Sequence, residues 1–203
     1  MTELVWYAAY GSNMSRERLL DYVTGRQPVG AARRCRGCRD TQPPRGDRPF
    51  TLEGTLSFGG FGGPSTNWNG GVAFYAAAAV AEPTLARLWL VSLEQFEDIV
   101  AQENVREPGS IALDPTLDRQ DVANGWYGQV VRVAEVEGHS VMTFTGARVP
   151  ELFAPSRDYL RHIAAGLREG HDLDAAGIAA YLSTKPGVAG NLTSDELLRI
   201  LAP

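Results

Sequence analysis

The sequence predicts an α+β protein: a mixed, mainly antiparallel sheet closing into a small β-barrel, flanked by helices. Three observations predict it. Short apolar runs separated by turn signals crowd the middle of the chain, capped amphipathic segments lie between and after them, and no linker or internal repeat divides the 203 residues. A chain of this length buries a real core without disulfide or metal staples, so a single domain over residues 1–203 is expected.

Residues 4–9 read as a first, buried strand. The stretch YAAYGSNMSRERL, residues 7–19, then breaks at Gly11-Ser12-Asn13 and restarts with helical rhythm over about 14–22, stopping at Thr24-Gly25. TLEGTLSFGG, 51–60, reads as one strand with a bulge, and 70–80 and 86–92 as two more. In SLEQFEDIVAQENV, 92–105, Ser92 and Gln95 form the capping box of an amphipathic helix. Residues 126–147 form a hairpin that turns at Glu137-Gly138. Three helices end the chain. Ser156 caps one running to Gly170, Asp174 caps a second through about Leu182, and Thr193 with Glu196 forms the capping box of a third.

Composition narrows the function. With 44% hydrophobic and 21% charged residues, the chain is neither disordered nor a membrane protein. No apolar run reaches membrane-spanning length, and LVWYAAY lacks the basic start and cleavage pattern of a signal peptide. Two cysteines and no targeting segment point to the cytoplasm. A net charge of -5 argues against nucleic acid as the partner. One basic stretch stands out, RRCRGCRDTQPPRGDR at 33–48, which reads either as a solvated Pro-rich loop or as a surface for an acidic ligand. Its Cys35-x-x-Cys38 has the spacing of a redox-active pair or of half a zinc site, but with no second pair and no nearby histidine no metal is expected. The glycine-rich run at 59–71 lacks the spacing of a phosphate-binding loop; it lets backbone pass close to either ligand or protein.

Two features carry chemistry. Leu93, Phe96, Ile99 and Val100 make the apolar stripe of the 92–105 helix. At about 100° per residue Glu103 falls within roughly 20° of Phe96, aimed inward, whereas Glu94, Glu97 and Asp98 point to the flanks or the solvated side. A carboxylate on an apolar face loses hydration, so its pKa rises toward the range of a general base. The bland alternative is that the helix has already ended and Glu103 pairs with an arginine such as Arg106. The second feature is the elbow at Tyr10 to Asn13. A strand running directly into a helix aims unpaired N–H groups at one spot with the helix dipole behind them, an anion site.

At this point YAAYGSNM, STNWNGGVA, QENV and PSRDY, in that order and approximate spacing, resemble the γ-glutamylcyclotransferase-like family from about residue 4 to 173. The resemblance implies a small mixed barrel with flanking helices and an enzyme that releases 5-oxoproline from γ-glutamyl amines, amides or peptides, with no cofactor and no metal. It places the catalytic glutamate on Glu103, the substrate-holding loop on Tyr7, Ala8, Ala9, Tyr10, Gly11 and Ser12 with Asn13, and a ligand-contacting tyrosine on Tyr159. The expected partner is a small γ-glutamyl compound, with neither nucleic acid nor membrane, and the chain is a monomer or a homodimer. Asn104 stands where the family usually has glycine, and asparagine tolerates left-handed backbone geometry. Residues 36–49 and 107–124 read as insertions that reshape substrate choice. Two rivals remain: a non-catalytic ligand-binding or interaction module on the same fold, and a γ-glutamyl amidohydrolase with Ser12 as nucleophile.

Overall fold

The computed structural model describes residues 2–77, 83–148 and 150–202. In chain order its elements are β1 (Leu4–Ala9), a 3-10 turn (Ser12–Met14), α1 (Arg16–Thr24), β2 (Gly46–Leu52), β3 (Gly54–Gly60), β4 (Val72–Ala77), β5 (Thr84–Ser92), α2 (Leu93–Glu103), β6 (Arg119–Asp121), β7 (Gln129–Val136), β8 (His139–Thr145), β9 (Glu151–Leu152), α3 (Arg157–His171), α4 (Ala175–Ser183) and α5 (Ser194–Leu201). Strands and helices thus alternate through the middle and helices close the chain, an α+β arrangement.

The strands form two sheets, a larger one in the order β2-β5-β1-β8-β7-β6 and a smaller one in the order β4-β3-β9. Among the described residues β1 and β8 run parallel, and the other strand pairs are antiparallel. β1 lies between β5 and β8 and is buried along nearly its whole length, which is why LVWYAA is apolar without alternation.

The sheets do not close into the expected barrel, and the predicted strand over 51–60 explains why. It is two strands in two sheets. β2 runs along β5, the chain breaks at Glu53, and β3 sets off along β4. Gly54 makes the break possible: its φ is 154°, and a Cβ there would strike the Ala76 carbonyl and the Tyr75 ring. The sheets meet again through threonine hydroxyls, and Thr84 Oγ1 of β5 donates to the Gly54 carbonyl of β3 at 2.8 Å. Tyr75 N donates to Thr145 Oγ1 at 3.1 Å, and that hydroxyl donates to the Tyr75 carbonyl at 2.6 Å.

Local signals placed the helix starts. The Ser92–Gln95 and Thr193–Glu196 capping boxes are formed, and Ser156 and Asp174 cap α3 and α4. The β7–β8 hairpin turns at Glu137 and Gly138, both at positive φ as a two-residue turn requires. The predicted strand over 70–80 is β4, and its residues 78–80 lie outside the described ones. The glycine-rich run divides: Gly70 and Gly71 lie against the backbone of residues 153–156, with no room for a Cβ, while residues 61–68 wall a cavity.

Two expectations are corrected. α1 begins later than predicted, because the 3-10 turn intervenes and ends at Ser15. The first N–H of α1, that of Arg16, donates to Glu169 Oε2 of α3 at 3.0 Å, so the helix N-terminus faces a protein carboxylate instead of backing the elbow. On α2, Asp98 is fully buried rather than solvated. Segments folding over the helix enclose it: Arg39 N donates to it at 2.8 Å, Arg39 Nε at 3.0 Å and Gly109 N at 2.7 Å. These bonds offset the cost of burying the charge. Among the described residues no helix is long and apolar enough to cross a membrane.

Candidate active site

The 3-10 turn, the end of α2, β4 and the start of α3 converge on two adjoining hollows. The outer is a cavity of about 530 Å³, and the inner is a small recess; Ser12, Glu103, Tyr127 and Tyr159 line both. Glu103 is the last residue of α2, where the helix stripe directs it inward. Its Oε1 accepts from Asn13 Nδ2 at 3.3 Å, joining residues 90 positions apart. Burial pushes the Glu103 carboxyl above the usual carboxylate range, while the Arg18 charge and hydrogen bonds from Tyr22 and Asn13 pull it back. It makes no ion pair with Arg106, which instead donates to the carbonyls of Val122 and Ser110.

The elbow is fastened from its outer side. Trp89 Nε1 donates to the Asn13 carbonyl at 2.9 Å, and Arg87 Nη1 donates to that of Met14 at 3.1 Å. Arg87 is itself held by Asp47 and Glu169 at 2.6 and 2.5 Å. With the carbonyls occupied there, Asn13 turns its amide inward, donating also to Tyr7 Oη at 3.1 Å. Ser12 and Asn13 open the 3-10 turn, so their N–H groups have no partner within it. Gly11 is needed for approach: a Cβ would meet Ala73 Cβ and Tyr159 Oη, each at 3.1 Å. Tyr159 Oη accepts from Ala73 N at 3.1 Å, and burial pushes this phenol up to about 12.

Among the described residues, the buried side-chain polar atoms with no hydrogen-bond partner are Asn13 Oδ1, Arg18 Nε and Asn104 Oδ1. All three belong to residues that line these hollows. Buried polar groups are ordinarily satisfied, so unmet groups gathered at one cavity mark a place for a polar ligand. The arrangement suits proton transfer at a carboxylate beside amide and phenol hydrogen bonds.

No family model matches the sequence. A curated protein from Arabidopsis thaliana, Histone deacetylase 5, is 31% identical over 208 residues, covering 88% of this chain and 30% of that protein. The chain thus spans under a third of the length of the curated relative it matches. Among solved structures, a gamma-glutamyl cyclotransferase superimposes with a TM-score of 0.56 at 20% identity, covering 98% of each chain. An uncharacterized protein from Homo sapiens does so with a TM-score of 0.55, also at 20% identity and 98% of each chain. The fold is γ-glutamylcyclotransferase-like.

In this γ-glutamylcyclotransferase-like fold, Glu103, Tyr7, Tyr10, Gly11, Ser12, Asn13 and Tyr159 all line the inner recess. Tyr10 Oη donates to the Phe144 carbonyl at 2.7 Å, and burial raises the phenols of Tyr7 and Tyr10. Ala8 and Ala9 line neither hollow; they are buried in β1 opposite Leu88 and Arg87 of β5. Asn104 is not left-handed, with φ -95°; the next residue, Val105, takes that conformation with φ 58°.

The basic loop reaches the cavity, whose wall includes Arg33 to Arg36. Gln102 fixes it there, its Oε1 accepting from Arg36 N at 2.8 Å and Gly37 N at 3.2 Å. Residues 107–124 do not line either hollow. Cys35 and Cys38 are free thiols, Cys35 beside Arg18 and Cys38 buried. Sequence reasoning missed Arg18, Tyr22 and Tyr127. A signal for the first two existed: with Leu19 and Val23 they occupy one helical face at i, i+1, i+4 and i+5, so an arginine stood in an apolar stripe.

Proposed function

We propose that this chain is a γ-glutamylcyclotransferase, releasing 5-oxoproline and a free amine from a γ-glutamyl amide, amine or peptide, with Glu103 as general base and then general acid. The observation that carries this reading is the recessed Glu103 carboxylate, with its pKa raised by burial, set 3.3 Å from Asn13 at the elbow. The reaction needs few groups because the nucleophile is part of the substrate. Glu103 takes a proton from the α-ammonium, the freed nitrogen bonds to the γ-carbonyl carbon, and a five-membered ring closes. The bond from that carbon to the departing nitrogen then breaks, the leaving nitrogen takes the proton back from Glu103, and the ring nitrogen passes its second proton to the released amine, which departs as an ammonium. The N–H groups of Ser12 and Asn13, which have no partner within the 3-10 turn, are suited to the oxygen that becomes negative on the way.

Incubation with γ-glutamyl amino acids, peptides and amines tests this, with products separated chromatographically. Release of 5-oxoproline supports it; free glutamate would indicate hydrolysis through Ser12. The alignment with less than a third of a longer protein favours a second reading, a ligand-binding module carried within larger chains. Binding of γ-glutamyl compounds without turnover would establish that reading instead.

A further inference from the structure

Arg18 has no part in the scheme above, yet it is 2% exposed. Its guanidinium lies 4.2 Å from the centre of the Tyr22 ring and 5.5 Å from that of Trp68, and Nη1 donates to Cys35 Sγ at 3.5 Å. Nε has no partner. Among the described residues no carboxylate is ion-paired with it; Asp21, which feels its charge, is paired with Arg26 at 3.2 Å. A guanidinium cannot shed its charge, and a buried cation held in no ion pair is costly. Aromatic faces, a thiol and the nearby Glu103 charge offset that cost, yet they leave Nε without a hydrogen-bond partner. Arg18 lines the same cavity as Glu103, and the two are close enough for its charge to act on that carboxyl.

We propose that Arg18 is the anchor for the α-carboxylate of the γ-glutamyl group, an inference that rests on the cyclotransferase reading. If the α-amino nitrogen is to reach Glu103, the carboxylate on the same carbon follows it, its oxygens only roughly 3 Å from that nitrogen. An unpaired guanidinium beside Glu103 meets it there, in the planar fork geometry that suits a carboxylate. The elbow N–H groups are then left for the γ-carbonyl oxygen, so the two negative oxygens of the reaction are served by different donors. Arg18 would select substrates that carry an α-carboxylate over otherwise identical ones that lack it.

Paired substrates test this. A γ-glutamyl amide and the 4-aminobutyryl amide with the same leaving group differ only in the α-carboxylate; the second would close to 2-pyrrolidone. Wild type is expected to prefer the γ-glutamyl compound in kcat/KM by about 10- to 100-fold, the usual range for hydrogen bonds to a charged group. Arg18→Met should bring the two within about threefold, and Arg18→Lys should fall between. A wild-type-sized preference in folded Arg18→Met overturns the proposal. Should that variant not fold, Arg18→Lys decides, because an undiminished preference with a point charge contradicts a fork-held carboxylate. Calorimetric binding of 5-oxoproline against 2-pyrrolidone separates this inference from the catalytic reading. If wild type turns over neither amide, cyclotransfer is wrong; equal binding of the two lactams to wild type removes the role of Arg18 whatever the turnover.

Discussion

Glu103→Gln keeps the length of the side chain and its acceptor oxygen, so the 3.3 Å contact with Asn13 Nδ2 survives and only proton transfer is lost. General acid–base catalysis contributes about 10²- to 10⁴-fold. Because one carboxyl serves both proton transfers, the loss in kcat should reach about 10³ to 10⁴, roughly 4–5 kcal/mol of barrier. KM should change little. The assay is 5-oxoproline release under saturating substrate, repeated across pH. The wild-type profile should rise with a midpoint above the ordinary carboxylate range, as the half-buried Glu103 gives up its proton. The same burial predicts a stability effect of opposite sense. A raised folded-state pKa means that the folded chain holds the Glu103 proton after the unfolded chain has released it. Stability from this group is therefore present below the unfolded pKa and falls as pH climbs through the folded one. Glutamine lacks that fall, so Glu103→Gln should melt higher than wild type at neutral pH, with the gap closing in acid. A variant retaining more than a tenth of wild-type kcat would refute the assignment of the base.

Three other changes probe the frame. Arg87→Met strips the carbonyl of Met14 of its donor and leaves Asp47 and Glu169 unpaired. Both carboxylates are partly exposed and can rehydrate, so urea unfolding should show a loss of about 2–3 kcal/mol, below that for a wholly buried pair. Asp98→Ala leaves the N–H groups of Arg39 and Gly109 without their acceptor, and a loss of about 2–4 kcal/mol is expected. Faster hydrogen exchange at residues 39 and 109 should accompany it; unchanged protection would mean that the carboxylate does not hold these segments. Val105→Gly removes a β-branched side chain from a left-handed position where it is largely exposed. A gain of about 1 kcal/mol should appear in thermal unfolding, and a loss would show that the Val105 side chain outweighs its backbone strain.

What could be read from the sequence was local or periodic. Capping boxes at Ser92 and Thr193 need only their own first turns, and the inward aim of Glu103 needs only helical spacing. The division of residues 51–60 was hidden because Leu52, Leu56 and Phe58 are buried in either arrangement; only the partners, β5 for one half and β4 for the other, separate the strands. Asp98 was misplaced because the groups that enclose it come from residues 39 and 109, beyond the reach of helical periodicity. The start of α1 slipped for the same reason: its N-terminus answers to Glu169, more than a hundred and fifty positions away in the chain. Arg18 was legible as an anomaly, a charge on an apolar face, but its Nε without a hydrogen-bond partner is a property of the folded site alone.

The contact between Thr145 and Tyr75 has a further consequence. Where two strands pair fully, a ladder of backbone bonds draws them together, and small closed barrels fill their interiors with side chains. Here the Thr145 hydroxyl spans the parting of the sheets like a rivet, and Tyr10, Ala73 and Phe144 of the recess stand beside that parting. The unfinished closure leaves room beside it: a fold that completed its barrel at this point would have filled with packing the volume of the recess.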